Sequence, residues 1–110
     1  MKVLKFGGTS VGTVASLSNV KNIVEAVDGP AVVVVSAIGG LTDRLIAGAE
    51  MARKGDICYA EVVETARRRH YEIIDAFIAD AERNATLKER IDDLLRELRR
   101  LYDGIAMLGD

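Results

Sequence analysis

The chain has 110 residues, of which 49% are hydrophobic and 29% charged, a balance that suits one folded domain and argues against disorder. Fifteen Lys and Arg against seventeen Asp and Glu leave a net charge of -2, without the basic surplus of a counterion-releasing nucleic-acid binder. One cysteine, Cys58, rules out an internal disulfide framework and a Cys-rich zinc site. The longest apolar run, Ala31 to Val35, is far short of the ~20 residues a membrane helix needs. The chain opens directly into Val3-Leu4-Lys5-Phe6 with no signal-peptide pattern, so a cytoplasmic location is expected.

In chain order, Val3-Leu4-Lys5-Phe6 running into Gly7-Gly8 predicts a strand and a turn. Thr13 is placed to cap a helix over about 14–27, with Val14, Leu17, Val20, Ile23, Val24 and Val27 along one stripe. Asp28-Gly29-Pro30 ends it. Ala31–Val35 is β-branched without alternation, which predicts a strand buried on both faces. After Ser36-Ala37-Ile38-Gly39-Gly40, Thr42 or Asp43 is expected to cap a second helix reaching Lys54, stopped by Gly55. Strand, helix, strand, helix implies an α/β fold with a parallel sheet.

Residues 56–110 read as almost continuous helix. Tyr59, Val63, Ala66, His70, Ile73 and Phe77 form one seam over about 56–82, and Leu87, Ile91, Leu94, Leu98, Leu101, Ile105 and Leu108 form a second. With Arg83-Asn84-Ala85 as the link and Thr86-Leu87-Lys88-Glu89 as a capping box, an antiparallel helical hairpin is expected, a coiled-coil dimer being the alternative. His70 on the seam reads as a core or hairpin-edge histidine, and Arg67-Arg68-Arg69 among acidic neighbours as a solvated helix face. Cys58, Met51 and Met107 read as packing residues. No metal site is expected.

Two glycine-rich turns carry the chemistry: Lys5-Phe6-Gly7-Gly8-Thr9-Ser10-Val11-Gly12, and Ser36-Ala37-Ile38-Gly39-Gly40-Leu41-Thr42. Each follows a parallel strand and precedes a helix, which puts both at the carboxyl edge of the sheet. There, bare backbone amides and a helix N-terminus suit an oxyanion, most simply phosphate. Neither turn is a Walker A loop or a dinucleotide fingerprint. Lys5 in an apolar strand has two readings, an ammonium meeting an anion or an edge-strand lysine reaching solvent.

The first of these segments resembles the opening signature of aspartate kinases, within the amino-acid kinase superfamily. Val35-Ser36-Ala37 followed by Gly40-Leu41-Thr42-Asp43-Arg44-Leu45 is similar to that family's next block. The resemblance implies a partial three-layer amino-acid-kinase fold, with residues 1–55 supplying the phosphate and substrate turns and 56–108 the helical hairpin. It implies that Lys5 is catalytic and that Lys5, Gly7, Gly8, Thr9 and Ser10 bind the ATP phosphates. Ser36, Gly39, Gly40 and Thr42 would bind L-aspartate. The implied reaction converts L-aspartate and MgATP into 4-phospho-L-aspartate and ADP, the first step toward lysine, threonine and methionine, in an allosteric homo-oligomer.

By the same resemblance the chain covers the beginning of the kinase domain, without the later acidic, Arg and Asp site residues, the nucleotide-base half and the ACT domains. The isolated chain is therefore expected not to catalyse, and its sheet edge and apolar face are expected to be open. Two alternatives stand: another amino-acid kinase such as an acetylglutamate or UMP kinase, which the Thr9-Ser10-Val11 continuation disfavours, or a complete non-catalytic module for anion binding or helix pairing.

Overall fold

The computed structural model describes residues 1–109. The elements are β1 (Lys2–Phe6), α1 (Val14–Glu25), β2 (Ala31–Val35), α2 (Leu41–Arg53), α3 (Tyr59–Phe77) and α4 (Ala81–Leu108). The chain divides into two compact units, Met1–Thr42 and Asp43–Asp110.

In the first unit, β1 and β2 form a two-stranded parallel sheet, with Lys2 opposite Ala31 and Phe6 opposite Val35. Thr13 caps α1 as expected. Its Oγ1 accepts the Ser16 N–H at 3.1 Å and the Ser16 Oγ accepts the Thr13 N–H at 3.1 Å, a reciprocal box that satisfies two orphan donors. The helix closes at Glu25, and Gly29 at φ 80° turns the chain into Pro30, whose carbonyl accepts the Lys2 N–H at 3.2 Å. Val11, Val20 and Leu41 are buried, with Leu4, Phe6, Leu17 and Val24 half-buried around them.

The expectation that β2 is buried on both faces is not met: Val32 to Val35 are 41–56% exposed. The strand has one hydrogen-bonded neighbour, and among the described residues nothing closes over its side chains. The observed fold is thus mixed α/β, two parallel strands with four helices.

In the second unit α3 and α4 pack as a helical hairpin, but its link lies at 78–80 rather than Arg83-Asn84-Ala85. The Asp80 carboxylate accepts the N–H groups of Glu82 and Arg83 at 2.9 and 3.3 Å, so α4 is capped six residues before the anticipated Thr86 box. Thr86 lies inside the helix and donates its hydroxyl to the Glu82 carbonyl at 3.0 Å. Thr42 and Asp43 likewise sit in the first turn of α2, which begins at Leu41, and do not precede it as caps.

The facing residues also differ from the heptad reading. Tyr59 and Ala66 are buried as expected, but the other buried positions of α3 are Val62 and Ile74, with Val63, His70, Ile73 and Phe77 half-buried. On α4, Leu94, Leu101 and Leu108 are 64%, 62% and 89% exposed, while Tyr102 is only 2% exposed. Tyr102 turns the helix: its ring packs edge-on against Tyr59 at 5.8 Å, and its hydroxyl donates to the Leu45 carbonyl of α2 at 2.6 Å. Ala52, Val62 and these two tyrosines form the core cluster, joined by Leu45, Ala49, Met51, Leu98 and Ile105. Met51 fills core as expected, whereas Met107 is exposed.

Polar clasps flank this core. Tyr71 donates to Asp92 at 2.6 Å, and Arg67 both pairs with Asp92 at 3.2 Å and stacks over the Tyr71 ring at 4.4 Å. Arg67 is therefore an α3–α4 contact and not merely part of a solvated face. Tyr59 donates to Asp103 at 2.7 Å, and Lys88 reaches Asp75 at 2.6 Å. Tyr71 and Arg67 hold the Asp92 carboxyl below its ordinary pKa, Tyr59 and Arg99 do so for Asp103, and Lys88 and Asn84 for Asp75. A carboxylate depressed in the folded state stabilises it above the unfolded pKa of about 4 and loses that contribution as pH falls through the lower folded value. The hairpin is therefore expected to lose helicity below about pH 4, and Asp92→Asn to flatten that transition, as followed by circular dichroism at 222 nm.

Candidate functional site

All nine candidate site residues fall within the first unit. Lys5 lies on β1 opposite Val34, is exposed, and forms no ion pair among the described residues. One residue on, the Phe6 carbonyl accepts the Ser36 N–H at 3.1 Å, so the first turn leaves the sheet beside the second. Parallel strands in register make this adjacency necessary, because both chains exit at the same end.

The first turn is built on two short backbone bonds, Ser10 N–H to the Gly7 carbonyl at 3.1 Å and Val11 N–H to the Gly8 carbonyl at 3.3 Å. Burial of Val11 anchors it. Thr9 is exposed, and its N–H donates to no group among the described residues. The second turn closes through Leu41 N–H to the Ile38 carbonyl at 3.0 Å and needs Gly40 at φ 78°, where a side chain would be strained.

The two turns meet backbone to backbone. A Cβ placed on Gly39 would lie 2.6 Å from the Gly8 oxygen, and one on Gly8 would lie 3.4 Å from the Gly39 Cα and 3.5 Å from the Ser36 Oγ. Gly8, Gly39 and Ser36 are thus brought together. Gly7 and Gly40 face open space, and Ser36 donates its hydroxyl to the Ala37 carbonyl at 2.8 Å. Thr42 is exposed in the first turn of α2. The arrangement offers the Thr9 N–H, unpartnered among the described residues, and the Lys5 ammonium of β1, donors of the kind that fit a phosphorylated anion.

The remaining conspicuous side chains carry no such geometry. His70 Nδ1 lies 2.7 Å from the Ala66 carbonyl of its own helix. Cys58 is exposed, not packed, and the Asp56 carboxylate beside it raises its thiol pKa, which disfavours the reactive thiolate. A groove of about 330 Å³ on the hairpin is lined by Arg67, Arg96 and Arg99, each paired with a carboxylate. Among the described residues no group of three or more His, Cys, Asp or Glu is placed to hold a metal, and no helix is long and apolar enough to cross a membrane.

Two parallel strands, each released into a glycine turn ahead of a helix, define a mixed α/β protein whose two candidate turns leave the sheet at the same end. No family model matches the chain. Over 71 residues, 64% of the chain, it is 44% identical to an aspartokinase of Chlamydia trachomatis serovar D, and that stretch is 16% of the relative. Over 43 residues, 39% of the chain, it is 54% identical to an aspartokinase of Chlamydia muridarum, covering 10% of that protein. The likeness to aspartokinases is therefore a property of this sequence, and the chain spans about a sixth or less of the curated relatives it matches.

Proposed function

We propose that this chain carries the phosphate turn and the amino-acid turn of an aspartokinase, which transfers the γ-phosphoryl group of ATP to the side-chain carboxylate of L-aspartate. The observation that carries the reading is the Gly8–Gly39 approach, which sets the residues matching the two motifs against one another. In this reading a carboxylate oxygen of aspartate attacks Pγ, the bond from Pγ to the β,γ-bridging oxygen breaks, and ADP departs with that electron pair. The nucleophile is already ionised at neutral pH, so no general base is required. The barrier is electrostatic, an anion approaching a polyanion, and it is lowered by positioning and positive charge.

Lys5 supplies that charge, holding its ammonium against the γ-phosphoryl oxygens. Gly7, Gly8, Thr9 and Ser10 line the phosphate turn, whose small residues let the phosphates come close. Ser36, Gly39, Gly40 and Thr42 hold the aspartate. Mg²⁺, brought with the nucleotide, would neutralise further phosphate charge, since the chain supplies no acidic trio for it among the described residues. The hairpin serves as a packed scaffold. The catalytic competence proposed here belongs to the whole enzyme: trapping with hydroxylamine is expected to give aspartyl hydroxamate from the intact enzyme and none from residues 1–110 alone. Product from the isolated chain would overturn that division.

Ser36 offers a sharper test. Because its hydroxyl stands on the amino-acid turn, Ser36→Ala in the intact enzyme is expected to raise the KM for aspartate about tenfold, the worth of one hydrogen bond to a charged group. The KM for ATP should stay within about twofold. An effect confined to ATP would contradict the assignment.

A further inference from the structure

The contact between the turns constrains more than their distance. The Gly8 carbonyl is directed at Gly39, so closely that a methyl group on Gly39 would sit 2.6 Å from its oxygen and 3.1 Å from its carbon. All peptides are trans, and a trans peptide is planar with its C=O and N–H pointing in opposite directions. Whatever fixes the Gly8 carbonyl therefore also aims the Thr9 N–H, the next donor along the chain. That N–H has no partner among the described residues and belongs to an exposed residue. The same carbonyl accepts the Val11 N–H at 3.3 Å, which ties the peptide to a buried side chain. Gly12 abuts it as well, because a Cβ there would meet the Gly8 oxygen at 3.2 Å.

We propose that Gly39 is a positioning residue for the phosphate turn: its bare Cα seats the Gly8–Thr9 peptide and presents the Thr9 N–H outward as a phosphate donor. This rests on the nucleotide reading of that turn, but it moves Gly39 from lining the amino-acid side to governing the nucleotide side. Any ligand that shifts residues 36–42 then shifts the Thr9 donor with them. Nucleotide and amino acid are coupled through one glycine contact, and the coupling is reciprocal.

The test uses the uniformly ¹⁵N-labelled 110-residue chain, MgATP as the probe, and three variants. Gly39→Ala pushes directly on the Gly8 carbonyl, and Gly12→Ala pushes on it more gently. Gly29→Ala adds strain at φ 80° in a turn with nothing near its Cβ, and so controls for a general loss of stability. Wild type and Gly29→Ala are expected to bind MgATP within about twofold of each other, with the Thr9 amide shifting. Gly39→Ala should bind at least about tenfold more weakly, with Gly12→Ala between.

In the absence of ligand, the Val11 amide should exchange faster in Gly39→Ala than in Gly29→Ala. Equal MgATP affinity in Gly39→Ala and wild type would overturn the proposal. If wild type itself ignores MgATP, the nucleotide reading falls. The seating is then judged alone on Val11 exchange, and an unchanged rate would overturn it. Should Gly39→Ala not fold, the Gly12→Ala comparison decides on the same criteria.

Discussion

Lys5→Ala is expected to lower the turnover of the intact enzyme about 10²–10³-fold, the cost of removing one charge-stabilising donor from a transition state. The reason is its setting: an exposed ammonium with no ion partner among the described residues, one residue before the strand end where both turns leave the sheet. A side chain so unengaged contributes little to folding, and its truncation is expected to change stability by no more than about 0.5 kcal/mol. Turnover and thermal melting measured on the same preparations separate the two roles. A parallel loss of both would mark Lys5 as structural, and unchanged turnover would remove it from the reaction.

The second large effect concerns the hairpin. Gly48 lies in the interior of α2, where helix propensity favours alanine by about 1 kcal/mol. Gly48→Ala is nonetheless expected to destabilise the chain. The added Cβ would lie 2.6 Å from the Tyr102 hydroxyl oxygen and 2.8 Å from the ring carbon that bears it. Tyr102 cannot yield easily, because its ring is packed on Tyr59 and its hydroxyl is bonded to the Leu45 carbonyl. Overpacking at about 1–3 kcal/mol and a strained hydrogen bond at about 1 kcal/mol outweigh the propensity gain, leaving a net loss of about 2 kcal/mol. For a chain of this size that is a fall of about 10 °C in Tm. A raised Tm would show that the ring is free to move aside.

The contrast between those two residues tracks what was legible from sequence. The elements of the first unit were readable because punctuation is local: Thr13 caps α1, Gly29 and Pro30 end its approach to β2, and the valine run forms the strand. The turn residues were readable because a motif lists them in order. Whether a strand is covered is a different matter, decided by what packs on it, so the β-branched run of β2 misled about its burial.

In the hairpin, the Thr86 box was the start signal read, and Asp80 went unread: capping there extends α4 by six residues and leaves a three-residue link. Counting leucines at heptad spacing selected Leu94, Leu101 and Leu108, whereas the packing partner of Gly48 is Tyr102 one position on. That pairing spans 54 positions of sequence, and no local period announces it. The seating of Gly8 on Gly39 was hidden for the same reason, although both glycines were already singled out.

If the two turns of the first unit form the ligand site, titration of the ¹⁵N-labelled chain with MgATP and L-aspartate will show it residue by residue. Amide shifts are expected to centre on residues 5–12 for the nucleotide, reaching Gly39 through its contact with Gly8, and on residues 36–42 for the amino acid, while α3 and α4 stay silent. Shifts confined to the hairpin, or none at millimolar ligand, would contradict it.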